Sequence, residues 1–206
     1  GNFSGPISKK KASFFIDFEK RDIDDQALIV ATTLDSNNEI TRFNQSFPVP
    51  NRRTTFSPRV DYQLNKNNTL IARYNYTKFT RVTGLSGFDL PSRAFNSENT
   101  EQNIQLTETA VINKTIVNET RFQFEHGVTR QNADNSIPTI NVQQAFVSGG
   151  SQVGQSSNTN NSWELTNITS FVHGFHSLKV GARLRGVRRR PGRSGVGPGR
   201  GRRRDR

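Results

Sequence analysis

Four short polar punctuations divide this chain: SKKK (Ser8–Lys11), NKNN (Asn65–Asn68), NKT (Asn113–Thr115) and HGFH (His173–His176). Each sits between two runs in which apolar and polar residues alternate. Alternation with a period of two on both sides of a tight turn specifies a β-hairpin, because side chains two residues apart share a face. A slip of one residue would exchange the faces, so each register can be tested by pairing residues outward from the turn.

Around NKNN this pairing sets Leu64 against Leu70, Tyr62 against Ala72 and Val60 against Tyr74, leaving Arg59, Asp61, Arg73 and Asn75 on the other face. Around NKT, Ile112 meets Ile116, Leu106 meets Phe122 and Ile104 meets Phe124. In HGFH a two-residue Gly174-Phe175 turn has glycine first, as a type II′ turn wants. It sets Phe171 beside Leu178, Thr169 beside Val180 and Leu165 beside Leu184. All three hairpins choose the pairing that gathers apolar side chains on one face. The exceptions are Glu108, Asn118, Thr120 and Asn167, which fall on the apolar face and lead us to expect bends, bulges or positions beyond an apolar layer.

What that face touches is bounded by composition. Only 31% of the residues are hydrophobic, so a compact soluble core would be thin. No window of the sequence is apolar enough for a transmembrane helix, but transmembrane strands dilute their apolar residues with every second, inward-facing one. The absence of cysteine rules out a disulfide framework or thiolate site. The connections between hairpins, about 21–56, 81–99 and 131–161, read as long loops at one end, opposite the tight turns. Short turns at one end, long loops at the other and strands of about 10 residues or more favour a membrane barrel wall over a soluble β-sandwich. Tyr74, Tyr76 and Trp163 lie toward the long-loop ends, where an aromatic girdle belongs.

The wording of two stretches, SGPISKKKASFFIDFEKRDIDD (Ser4–Asp25) and PVPNRRTTFSPRVDYQLNKNNTLIARYNYTKF (Pro48–Phe79), resembles the barrel of Oar-like TonB-dependent outer-membrane receptors of the acidobacterial type. The later hairpins are similar, so the resemblance covers about residues 1–186. It implies a barrel of about 22 strands around a plug, located in the outer membrane of a Gram-negative-type bacterium. It also implies import of a bulky extracellular ligand with energy passed through TonB. About eight strands can be counted here, which implies a partial barrel whose partners are outer-membrane lipid, the ligand, and the TonB complex through a plug domain missing from this sequence.

No catalytic constellation is visible, and the expectation is a protein that is not an enzyme and carries no cofactor or metal. His173 and His176 flank a tight turn without a third ligand nearby. Ligand contacts are expected from the loops 81–99 and 131–161 and from inward-facing arginines, with Arg73, Arg81, Phe88 and Arg121 as the candidates. The net charge of +12 is unevenly placed: residues 187–206 hold nine arginines and one aspartate. The composition changes abruptly at Gly186-Val187. We therefore read 1–186 as the barrel domain and 187–206 as a disordered Arg/Gly-rich tail, out of frame or misjoined. A nucleic-acid-binding role for that tail, or a soluble or surface-exposed β-rich binding module, are the alternative readings, and no specific nucleic-acid partner is expected.

Overall fold

The computed structural model describes residues 1–192 and is all-β. The strands are β1 (Asn2–Ser8), β2 (Ala12–Leu34), β3 (Ile40–Gln63), β4 (Asn68–Thr83), β5 (Phe95–Asn113), β6 (Ile116–Asn132), β7 (Ile140–Val142), β8 (Phe146–Ser148), β9 (Ser156–His173) and β10 (His176–Pro191). Eight of them form one antiparallel meander in the order β1-β2-β3-β4-β5-β6-β9-β10, while β7 and β8 make a small separate hairpin. Every neighbour in the large sheet is the next long strand in sequence, so each pairing follows directly from a hairpin or a loop return.

The HGFH hairpin has the register expected, with Phe171 opposite Leu178 and Leu165 opposite Leu184. Gly174 has φ 57° and Phe175 does not enter the left-handed region, the asymmetry of a type II′ turn. Around NKT, Leu106 faces Phe122 and Ile104 faces Phe124, but a bulge between Val111 and Asn113 replaces the expected Ile112–Ile116 pair. Around NKNN the ladder is shifted by two residues, with Tyr62 opposite Leu70 and Val60 opposite Ala72. The cause is a tighter turn: the Leu64 N–H donates to the Asn68 carbonyl, so only Asn65, Lys66 and Asn67 lie between these two residues, where pairing Leu64 with Leu70 would leave five. An even shift leaves both faces unchanged.

The expected loop at 21–56 is instead the outer half of a long hairpin. β2 and β3 stay paired from Ala12–Tyr62 to Leu34–Ile40. Charges and prolines made this stretch resemble a loop. In the structure Arg52 bridges Asp22 (3.5 Å) and Asp24 across the strands. Pro48 and Pro50 lie above Asn51, where pairing with β4 begins, so their missing N–H groups interrupt no ladder on that side. Pro58 has the same parity and coincides with a gap in the β3–β4 pairing between Phe56 and Arg59.

The polar residues on the apolar face are not at bends. Three of the four, Asn118, Thr120 and Asn167, satisfy one another: Asn118 Nδ2 donates to Asn167 Oδ1 (3.1 Å) and Thr169 Oγ1 (2.7 Å), and Asn167 Nδ2 donates to Asn118 Oδ1 (3.1 Å) and Thr120 Oγ1 (2.8 Å). A reciprocal cluster of this kind lets amides lie in an apolar surround at little cost. Asn118→Ala is expected to destabilise the folded sheet in lipid by about 1 kcal/mol, because it strips Asn167 of partners. Urea unfolding in phospholipid vesicles measures this.

The sheet has almost no interior. Among the described residues only Ile29 and Ala31 are buried apolar side chains, whereas Phe122 (37%), Trp163 (42%) and Leu184 (59%) stand open on the apolar face. On that face Leu178, Val180, Ala182 and Leu184 follow one another before Arg188, a span of about ten residues that matches what a tilted strand needs to cross a bilayer. Above it lies a margin of ion pairs, with Glu98 between Lys78 (2.8 Å) and Arg130 (3.2 Å). Trp163 occupies the upper part of the band opposite Gly186, where a Cβ would come within 2.3 Å of the indole nitrogen.

The expected break at Val187 is also displaced. β10 remains paired with β9 through Pro191, opposite Asn158, so residues 187–191 continue the strand. The remainder of the expected tail, from residue 193, lies outside the described residues.

Candidate functional site

The opposite face of the sheet is polar, and its central strands surround a depression of about 1030 Å³. Register builds it. Thr77, Glu101, Gly127 and Asn160 form one row across β4, β5, β6 and β9, and Asn75, Asn103, Glu125 and Ser162 form the row beneath. Glu125 is held in place from three directions, by Gln123 Nε2 (2.7 Å), Asn103 Nδ2 (3.2 Å) and Ser162 Oγ (3.0 Å). Asn99 is similarly fixed, donating to Glu101 (2.8 Å) and accepting from Thr129 (3.0 Å). These networks orient amides and carboxylates toward a wet space rather than toward a core.

Two loops fold together over the outer end of this face. The β4–β5 loop, residues 84–94, contains a single 3₁₀ turn at Pro91–Arg93, and the β6–β9 loop, residues 133–155, contains the β7–β8 hairpin. The Val147 N–H donates to the Phe88 carbonyl (2.9 Å) and the Leu90 N–H to the Val147 carbonyl (2.8 Å), so the loops share a short ladder. That unit reaches back to β2, where Val30 donates to the Gly87 carbonyl (3.0 Å) and Thr32 to the Ala145 carbonyl (3.1 Å). Ile29 and Ala31 are buried beneath it, which makes this the one place in the described residues where the fold buries apolar side chains.

Arg93 ties the cap together. Its side chain is 3% exposed, pairs with Asp89 (3.3 Å), and donates to the Gly150 carbonyl (2.6 Å) and Thr139 Oγ1 (3.0 Å). Gly149 adopts φ 88°, and a Cβ there would lie 2.0 Å from the Pro138 carbonyl oxygen, so only glycine fits. At the base of the long loop the Ser136 hydroxyl and backbone N–H both donate to Asp134, holding its carboxyl below the usual range.

The four candidate ligand residues do not converge. Arg73, on the polar face of β4, lines the depression. Arg81 is higher on the same face, its guanidinium 5.9 Å from the Phe79 ring centroid. Phe88 stands half exposed in the loop cap. Arg121 lies lower on β6, paired with Glu119 at 2.9 Å. The two expected contact loops do come together, through the shared ladder. Sequence reasoning missed Arg93, because a buried latch between two loops leaves no periodic trace. It also missed Gly127, for which the one available signal was a glycine inside a strongly alternating strand.

Comparison with known proteins agrees with this geometry. No curated protein matches the sequence. In fold, the chain is similar to the outer membrane transporter YddB from Escherichia coli, with a TM-score of 0.63 at 11% sequence identity. The superposition covers 90% of this chain and 24% of that one, so the chain spans about a quarter of the transporter's length. The model of a family described as an outer membrane beta barrel domain matches residues 23–200. An exposed apolar band, a polar opposite face and a sequence match over most of the chain converge, and this chain belongs to the outer membrane β-barrel domain family.

Proposed function

We propose that this sheet is one sector of the barrel wall of an Oar-like TonB-dependent receptor, which binds a bulky extracellular ligand and imports it across the outer membrane. The observation that carries the reading is the open edge at each end of the meander. Among the described residues β1 and β10 each have one strand neighbour, and a sheet edge in hydrocarbon leaves backbone groups unpaired. Closure by further strands of the same polypeptide removes both edges and gives a lumen wide enough for a plug. The fold likeness to a transporter about four times as long supports the same reading, as does the resemblance of the Ser4–Asp25 and Pro48–Phe79 wording.

In this arrangement the tight turns point to the periplasm and the loop cap to the outside. Recognition is assigned to the polar face and cap, and energy reaches the barrel through a plug that contacts TonB. The role is transport and recognition rather than catalysis.

A direct test needs no knowledge of the ligand. Full-length protein in outer-membrane vesicles, opened to expose the periplasmic side, is expected to bind the purified periplasmic domain of TonB saturably. Deleting the segment upstream of the barrel should abolish that binding. Absence of saturable binding by the intact protein would sink the TonB assignment while leaving the barrel fold untouched.

A further inference from the structure

The depression on the polar face has an unusual floor. Gly127 lies in the middle of β6, a strand of 17 residues, and its side-chain position projects into the depression between Glu101 and Asn160. A glycine inside a strand costs about 0.5–1 kcal/mol, so it calls for a reason. The backbone supplies none, since Gly127 is not in the left-handed region. Packing supplies none either, because a Cβ would meet only the Asn160 carbonyl oxygen, at 3.9 Å. The contrast with Gly149, where an added Cβ would overlap the backbone, is direct. What the glycine provides is space in front of the sheet.

The walls of that space are chemically uniform. The inward side chains around Gly127 are amides, hydroxyls and carboxylates, with Arg73, Arg189 and Arg190 at the margins and His126 engaged with Asn161. Asn158 and Asn160 make no side-chain hydrogen bond among the described residues and are open to a ligand. Glu101 is the direct register neighbour of Gly127 and Glu125 lies two residues before it on the same face, whereas the three arginines stand on the outer strands β4 and β10. An apolar ligand would strand these polar atoms without partners. An anion would face two carboxylates. An extended peptide could not add to the sheet, because β5, β6 and β9 are paired on both sides. A ligand carrying alternate hydroxyl donors and acceptors fits, since each asparagine offers both.

We infer that the Gly127 notch is a subsite for a neutral oligosaccharide, one sugar ring entering the space that a side chain would otherwise fill. This deepens the receptor reading by naming its ligand class, and it rests on that reading for access from outside.

These 206 residues contain no cysteine, so Gly127→Cys adds the one thiol of this segment, and its labelling is read against the unsubstituted full-length protein. The full-length variant, in outer-membrane vesicles, is labelled with a hydrophilic maleimide, with or without maltohexaose, cellohexaose or xylohexaose. Hexaglycine serves as the peptide control. Prompt labelling, slowed several-fold by at least one hexaose and not by hexaglycine, is the expected result. Thr109→Cys, on the same face nearer the periplasmic turn, should label at a rate that no sugar changes. Asn160→Cys repeats the experiment at the notch wall if the glycine position will not accept a side chain. Labelling that no sugar slows, or that hexaglycine slows, overturns the assignment. So does a thiol that never reacts in the folded protein, which would mean another segment of the polypeptide fills the notch. Loss of TonB binding would sink the receptor reading and leave the labelling result standing, so the two failures are distinguishable.

Discussion

Leu106→Arg is expected to destabilise the membrane-inserted protein by about 2–4 kcal/mol, while Gln105→Arg, one residue away on the same strand, changes stability little. The two positions differ only in parity. Leu106 stands on the apolar face opposite Ala72 and Phe122, and Gln105 lies on the polar face opposite Arg73 and Gln123. At position 106 an arginine must either lose its hydration in hydrocarbon or drag water into the bilayer. At position 105 it joins side chains that are already wet, at the modest cost of a like charge opposite Arg73. Equilibrium unfolding in phospholipid vesicles reads the difference. Equal effects at the two positions would mean that the apolar face does not meet lipid.

The second large effect is expected at Arg93→Ala. The guanidinium is buried and joins both loops, so its removal takes one hydrogen-bond or ion-pair partner from each of the Asp89 carboxylate, the Thr139 hydroxyl and the Gly150 carbonyl. Asp89 is partly exposed and keeps the Ser86 hydroxyl, and Thr139 keeps the Gly150 carbonyl, so the cost is that of lost charge-assisted hydrogen bonds, about 1–3 kcal/mol. The loss should stay within the cap, because the strand ladders beneath it do not depend on Arg93. Hydrogen exchange is expected to accelerate across residues 84–94 and 133–155 while β5, β6 and β9 keep their protection. Arg93→Lys restores the charge but not the fork that reaches three partners, and is expected to rescue the cap only in part. Uniform loss of protection throughout the sheet would show that the latch reading is wrong.

Much of the sheet is legible in the sequence, and the limits have physical causes. The HGFH hairpin is readable to the residue because a two-residue turn leaves no freedom of register, and Phe171, Leu178, Leu165 and Leu184 confirm it. NKNN is less determinate. The polar run Asn65–Thr69 can close as a three-residue or a five-residue turn, and the even slip between them leaves the apolar pattern intact, so the pattern cannot detect it. The outer halves of β2 and β3 are unreadable by alternation. Above the bilayer both faces meet water, and ion pairs such as Arg52 with Asp22 replace the apolar signal. Asn118, Thr120 and Asn167 on the apolar face could be found but not explained from the chain alone, since their partners lie on a neighbouring strand. The candidate site shows the same limit. Arg73 is visible as an inward arginine, whereas the Gly127 notch exists only once four strands are set side by side in register.

The central claim is that the apolar face meets hydrocarbon, and Trp163 reports on it directly. It is the only tryptophan in the chain, it stands on that face, and it sits in the upper part of the apolar band. The measurement is the fluorescence difference between the full-length protein and its Trp163→Phe variant in vesicles containing lipids brominated at graded depths. Strong quenching by bromines set near the headgroups, weaker quenching by those at the bilayer centre and little quenching by aqueous iodide are the predicted result. Efficient quenching by iodide with none from any brominated lipid would contradict the account.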